Sequence, residues 1–209
     1  MEIQLVNRLE LETVLERAKT HGFIGSDEIN SVIDHAVFHL QAAQPARNSN
    51  WCDLGSGGGI PGLVVASERE DLTLTLIDRS TARVTFLQAA IEQLGISGRV
   101  QALCGDVTEL AHQSLLRHSY DGVFCRSFAS PAITAECAAG LIKLGGLLAV
   151  SEPPDPRPDR WPQETLAQLG FTEQEIISGP PKFLLLKLGR VPSDEVPRKW
   201  KKITKKPLF

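Results

Sequence analysis

A chain of 209 residues, 42% of them hydrophobic, is long enough for one substantial core with a small extension, and a formal charge of −3 excludes a uniformly basic nucleic-acid binder. No stretch reaches the roughly eighteen uninterrupted apolar residues of a membrane helix, and the start, MEIQLVNRLELE, carries acids where a leader peptide would carry positive charge. The expectation is a monomeric cytoplasmic protein with no membrane segment. Cys52, Cys104, Cys125 and Cys137 show neither zinc-type nor disulfide spacing, so they read as reduced thiols, mostly buried, and no metal is expected.

In chain order, Ile3, Val6, Leu9, Val14, Leu15 and Ala18 recur at helical spacing, and a second helix is expected from Asp27 to about Ala43, capped by Ser26. From Trp51 strands and helices alternate: strands at 51–54, 72–77, 99–104, 120–126 and 145–151, helices at 60–69, 80–94, 107–117 and 130–143. Alternation of this kind implies right-handed crossovers and a mostly parallel sheet covered on both faces. PPDPRPDRWP, 153–162, must be a surface loop, and a short helix at 163–169 leads into FTEQEIIS and KFLLLKLGR, read as an antiparallel hairpin. The expected organisation is a helical N-terminal extension (1–45), an α/β Rossmann-like domain with a seven-stranded sheet (46–190) and a basic tail (191–209).

Gly57, Gly59 and Gly62 satisfy the GxGxxG pattern, and Asp78 follows about twenty residues on, at the end of the next strand. That pattern alone suits a dinucleotide. Asp53 and Gly55 stand ahead of it, however, and a carboxylate there would repel a pyrophosphate while it could accept bonds from an ammonium group. S-adenosylmethionine has such a cationic end, two ribose hydroxyls for Asp78, an adenine within reach of Asp106 or the Val107 backbone, and no phosphate. The candidate cofactor-binding residues are Asp53, Gly55, Ser56, Gly57, Gly59, Pro61, Asp78, Arg79, Asp106, Val107 and Arg126.

DLGSGGGIPG (53–62), LIDRSTARVTFLQAAIEQLGI (76–96) and CRSFASP (125–131) closely resemble the bacterial small-subunit ribosomal RNA guanine-N7 methyltransferases, the glucose-inhibited division protein B family. The resemblance spans about residues 20–190. It departs at Thr81 and Ala82, where the family often has a Gly-Lys pair, at VSEPP (150–154), where many members have Lys-Gly, in its short N-terminal helices, and in a tail that lacks a common glycine. These departures mark a divergent branch.

The resemblance implies a class I methyltransferase fold, S-adenosyl-L-methionine as cofactor, and ribosomal RNA or the small subunit as partner. Guanine N7 has an in-plane lone pair and no proton, so direct transfer needs alignment and no general base. Arg126 is the candidate for positioning guanine or phosphate, with Ser127 and Phe128 beside it. The resemblance also implies that His35 helps shape the pocket, because a histidine in this helix recurs in the family; His35 and His39, four apart, carry little weight as metal ligands. Cys125, inside an apolar strand, reads as a buried thiol and not as a nucleophile. Arg198, Lys199, Lys201, Lys202, Lys205 and Lys206, with Trp200 among them, form a candidate RNA clamp. A small-molecule methyltransferase and a non-catalytic cofactor-binding protein stand as alternatives.

Overall fold

The computed structural model describes residues 7–209. Helix α1 (Arg8–Thr20) starts where the Asn7 side chain accepts a bond from the Leu9 amide, and it buries Leu11, Val14, Leu15 and Ala18. Ile3 and Val6, expected on the same face, lie outside the described residues. Helix α2 (Ile29–Ala43) begins later than the sequence suggested, with Glu28 in the capping position and not Ser26. Lys19 donates to the Asp27 carbonyl (2.8 Å), which keeps the two acids in the connection.

Strands β1 (Asn50–Leu54), β2 (Thr73–Asp78), β3 (Val100–Cys104), β4 (Tyr120–Cys125) and β5 (Ile142–Glu152) pair in parallel, and β7 (Lys182–Leu188) lies antiparallel between β5 and β6 (Phe171–Ile177). The order is β3-β2-β1-β4-β5-β7-β6, so the expected mostly parallel sheet with a C-terminal antiparallel hairpin is present. Helices α3 (Gly62–Glu68), α4 (Thr81–Gln93), α5 (Val107–Leu110) and α6 (Pro131–Leu141) form the crossovers, and α7 (Gln163–Gln168) precedes the hairpin. One face buries Leu15, Ile33, Trp51, Leu63, Leu87 and Phe124 under α1 to α4; the other buries Tyr120, Cys137, Leu141, Leu186 and Ile203. β1 and β2 are buried almost throughout, as strands covered on both faces must be.

Two boundaries moved for physical reasons. The helix expected over 107–117 stops at Leu110, because Arg117 and His112 turn to the carbonyls of Val196 and Pro197 (2.8 Å each) and 111–118 folds into tight turns. Strand β5 begins at Ile142, directly from α6, with an irregularity opposite Tyr120 and Gly122 that absorbs the Gly145-Gly146 bend. Among the described residues no helix is long and apolar enough to cross a membrane.

Candidate functional site: a cleft at the carboxyl edge of the sheet

β1 lies between β2 and β4, so the loop after β1 opens at the point where the strand order reverses, the place where open α/β sheets hold ligands. The amides of Gly55 and Ser56 both donate to the Ile77 carbonyl (2.9 and 3.0 Å), and Gly57 donates to Asp78 Oδ2 (3.0 Å). Gly55 has φ +76°, and a Cβ there would stand 2.6 Å from Phe128 Cδ2, so both backbone and space require glycine. Ser56 and Pro61 are buried: the Ser56 hydroxyl donates to the Asp53 carbonyl (2.8 Å) and Pro61 caps α3, so these two shape the loop from within and do not face the cleft.

The cleft is lined by Leu54, Gly55, Ile77, Asp78, Arg79, Arg83, Gly105, Asp106, Val107, Ser127, Phe128 and Trp200. The ends of β1, β2, β3 and β4 thus meet in one cavity. Asp78 is nearly buried; its Oδ1 accepts from the Ser80 amide (2.8 Å), and Arg83 stands 3.5 Å from Oδ2. Asp106 Oδ1 accepts from the amide and the hydroxyl of Thr108 (2.8 and 2.7 Å), which starts α5. Ser127 has φ +54°, a left-handed conformation in a non-glycine residue, and this turn brings Phe128 back over Gly55. Backbone strain of this kind persists where the surroundings over-determine it.

Asp53 lies under the loop. Its Oδ2 accepts from the Gly62 amide (2.9 Å) while Oδ1 is buried without a partner among the described residues. Burial pushes its carboxyl up to about 7, against the Gly62 bond. Arg126 is not in the wall of the cleft with Ser127 and Phe128. Partly buried, and with no hydrogen bond or ion pair to any described residue, its charge acts on Asp53, on Asp27, and on His35 and His39 of α2. His35 Nε2 is 2.7 Å from Ser151 Oγ, and burial followed by the Arg126 charge lowers it to about 4. His39 stacks on Phe183 and donates from Nε2 to the Ala149 carbonyl (2.9 Å), so it is a core residue. Cys125 is buried and pushed up to about 12, and no group of three or more metal-ligating side chains occurs among the described residues.

The basic tail does not stand apart. Arg198 closes Nε and Nη2 on Glu136 (2.7 Å each) in the α6 crossover, Ile203 is fully buried, and helix α8 (Trp200–Lys205) carries Trp200 to the cleft. Arg198 is therefore spent on a carboxylate and departs from the expected clamp, while Lys199, Lys201, Lys202, Lys205 and Lys206 remain exposed. Trp200 as a wall of the cleft, and the grouping of Arg126 with His35 and Ser151, were not foreseen. Trp200 and Ile203, three apart among charges, were the sequence signal of a packed helical turn.

This strand order and glycine loop define the class I methyltransferase fold. The O-methyltransferase of Bacillus cereus, solved in complex with SAH, shares it at a TM-score of 0.61 and 13% identity, over 89% of this chain and 93% of that one. The family model for GidB, rRNA small subunit methyltransferase G, matches residues 4–151, and the chain belongs to that family. It is 36% identical over 107 residues to ribosomal RNA small subunit methyltransferase G of Gloeobacter violaceus, covering 51% of this chain and 42% of that protein. With the Deinococcus deserti protein of the same name it shares 32% over 171 residues, 78% of this chain and 69% of that one. The matched part of the chain spans about half the length of several of these curated relatives.

Proposed function

We propose that this protein is an S-adenosylmethionine-dependent methyltransferase that methylates N7 of a guanine in small-subunit ribosomal RNA. The observation that carries the cofactor is the cleft itself: a loop that approaches where a Cβ would collide, an almost buried Asp78 at the end of β2, and an orphaned buried oxygen on Asp53 beneath the loop. These donors and acceptors fit a ligand with a cationic amino-acid end and a diol, and no phosphate. Gly55, Gly57 and Gly59 would hold the methionine end, Asp78 the ribose, and Asp106 with Val107 the adenine. When bound, the cofactor supplies a methyl group on a sulfonium.

The protein's own part is to bind, align and keep water out. Guanine N7 needs no deprotonation, so the reaction calls on no base; burial holds His35 down at about 4 and Cys125 up at about 12. Arg126, with no hydrogen-bond or ion-pair partner among the described residues, is suited to hold the guanine O6 beside N7 or an adjacent phosphate. The neutral His35 beside it adds no competing charge. The high Cys125 value speaks against a cysteine-dependent attack on a pyrimidine. Family membership supports ribosomal RNA as the substrate, and a ribosomal substrate is in keeping with a cytoplasmic enzyme.

The test is transfer of labelled methyl to small ribosomal subunits from a strain lacking the enzyme. Transfer to a single guanine, lost in Asp78→Ala and Arg126→Ala, is the expected result. Label found only in small metabolites overturns the RNA assignment.

A further inference from the structure

Trp200 belongs by sequence to a basic tail and by position to the cleft. Its amide donates to Thr108 Oγ1 (3.1 Å), and the same hydroxyl donates to Asp106 Oδ1 (2.7 Å), so the tail backbone is joined by a hydrogen-bonded chain to the strand-end carboxylate. Its indole meets Phe128 edge to face, with ring centroids 6.1 Å apart, and Arg79 sits 5.4 Å over it. The anchoring is deep. Beside the Arg198 pair with the buried Glu136, Pro197 occupies the space that a side chain at Gly140 would fill, 2.5 Å from such a Cβ.

Indole, phenyl and guanidinium thus form an aromatic corner on the side of the cleft that Asp78 and Asp106 furnish with acceptors. A purine ring has the two properties such a corner selects: an aromatic face to stack, and an edge rich in hydrogen-bonding groups. We propose that Trp200 is a cofactor-binding residue, and that the C-terminal segment 196–206 completes the adenine side of the site. The proposal rests on the cofactor assignment made above. It reassigns Trp200 from the RNA to the cofactor and leaves the lysines of the same segment on the outer surface, so one short segment serves two ligands on its two sides.

The experiment titrates S-adenosylhomocysteine into the full chain by calorimetry and compares wild type with Trp200→Ala and Trp200→Phe. Trp200→Ala is expected to weaken binding about tenfold, and Trp200→Phe to restore most of it, as stacking rather than bulk packing requires. A thermal melt of each variant shows whether the sheet is intact; Trp200→Leu, which keeps bulk and loses the ring, carries the comparison if Trp200→Ala does not fold, and it too is expected to weaken binding about tenfold. Ligand addition should also quench a fluorescence component of wild type that Trp200→Phe lacks. Wild-type affinity in Trp200→Ala, or unchanged fluorescence at saturation, overturns the proposal while leaving the cofactor assignment standing. No binding to wild type defeats the cofactor assignment and this proposal with it.

Discussion

Arg198 and Glu136, sixty-two positions apart, form a bidentate pair in which the carboxylate is 1% exposed and also accepts the Arg198 amide (2.8 Å). An exposed pair would contribute little; here removal of one partner leaves a desolvated charge. Arg198→Ala is expected to cost about 3 kcal/mol of stability by urea denaturation. Replacing both residues by leucine should recover most of that loss, since no orphaned charge remains. A single-variant cost below about 0.5 kcal/mol, the level of a surface pair, would show that the tail is not held this way.

Gly55 faces Phe128 across the mouth of the cleft. Gly55→Ala meets both a positive φ and a Cβ contact at 2.6 Å, so the expectation is a loss of about 1–2 kcal/mol in stability and at least tenfold weaker cofactor binding. The double variant with Phe128→Ala relieves the contact and leaves the φ strain. Partial recovery of stability in the double variant, measured against each single one, separates the two causes.

Asp53 and His39 titrate in opposite directions and mask one another. His39, lowered by burial from 6.5 to about 3, contributes stability that is full above pH 6.5 and is lost as pH falls below it. Asp53, raised by burial from 3.8 to about 7, contributes stability that is present below pH 3.8 and is lost as pH rises through about 7. Between about pH 4.5 and 6.5 the folded state holds one extra proton on Asp53 and the unfolded state one on His39, so the slopes cancel. Asp53→Asn removes one side. Its stability relative to wild type should fall by about 1.4 kcal/mol for each unit of acidification in that window. Parallel stability curves for the two proteins would contradict the burial assigned to Asp53. His35, half-buried, adds a smaller slope of the same sign as His39 in both proteins.

The order of strands and helices was legible because apolar runs of strand length alternate with helical spacing, and the loop was legible because its glycines stand between two strand-end carboxylates. What the chain pattern does not carry is which side of a strand end a residue leaves from. Arg126, Ser127 and Phe128 are consecutive, yet the left-handed turn at Ser127 carries Phe128 into the cleft while Arg126 stays out of its wall and acts by its charge on His35 and His39 of α2. The fate of the tail was hidden for a related reason: Arg198 looks like its lysine neighbours until a buried acid from α6, with no mark in the local sequence, takes it. The short α5 follows from the same long-range contact, since Arg117 and His112 are drawn to the tail.

The lysines that remain on the outer side of the tail give the last expectation its form. Deleting 198–209 would confound RNA binding with loss of Ile203 from the core and Trp200 from the cleft, whereas replacing Lys199, Lys201, Lys202 and Lys205 by glutamine touches only exposed side chains. Those lysines, with His112, Arg198 and one acid, Glu195, line one surface depression. If they neutralise phosphates of the RNA, each contact contributes about 0.7–0.9 to the slope of log affinity against log salt. The fourfold variant should therefore bind small-subunit RNA more weakly at low salt, lose about two to four from that slope, and keep its affinity for S-adenosylhomocysteine. An unchanged salt slope would remove the tail from the RNA interface and leave its inner side, through Trp200, as its whole contribution.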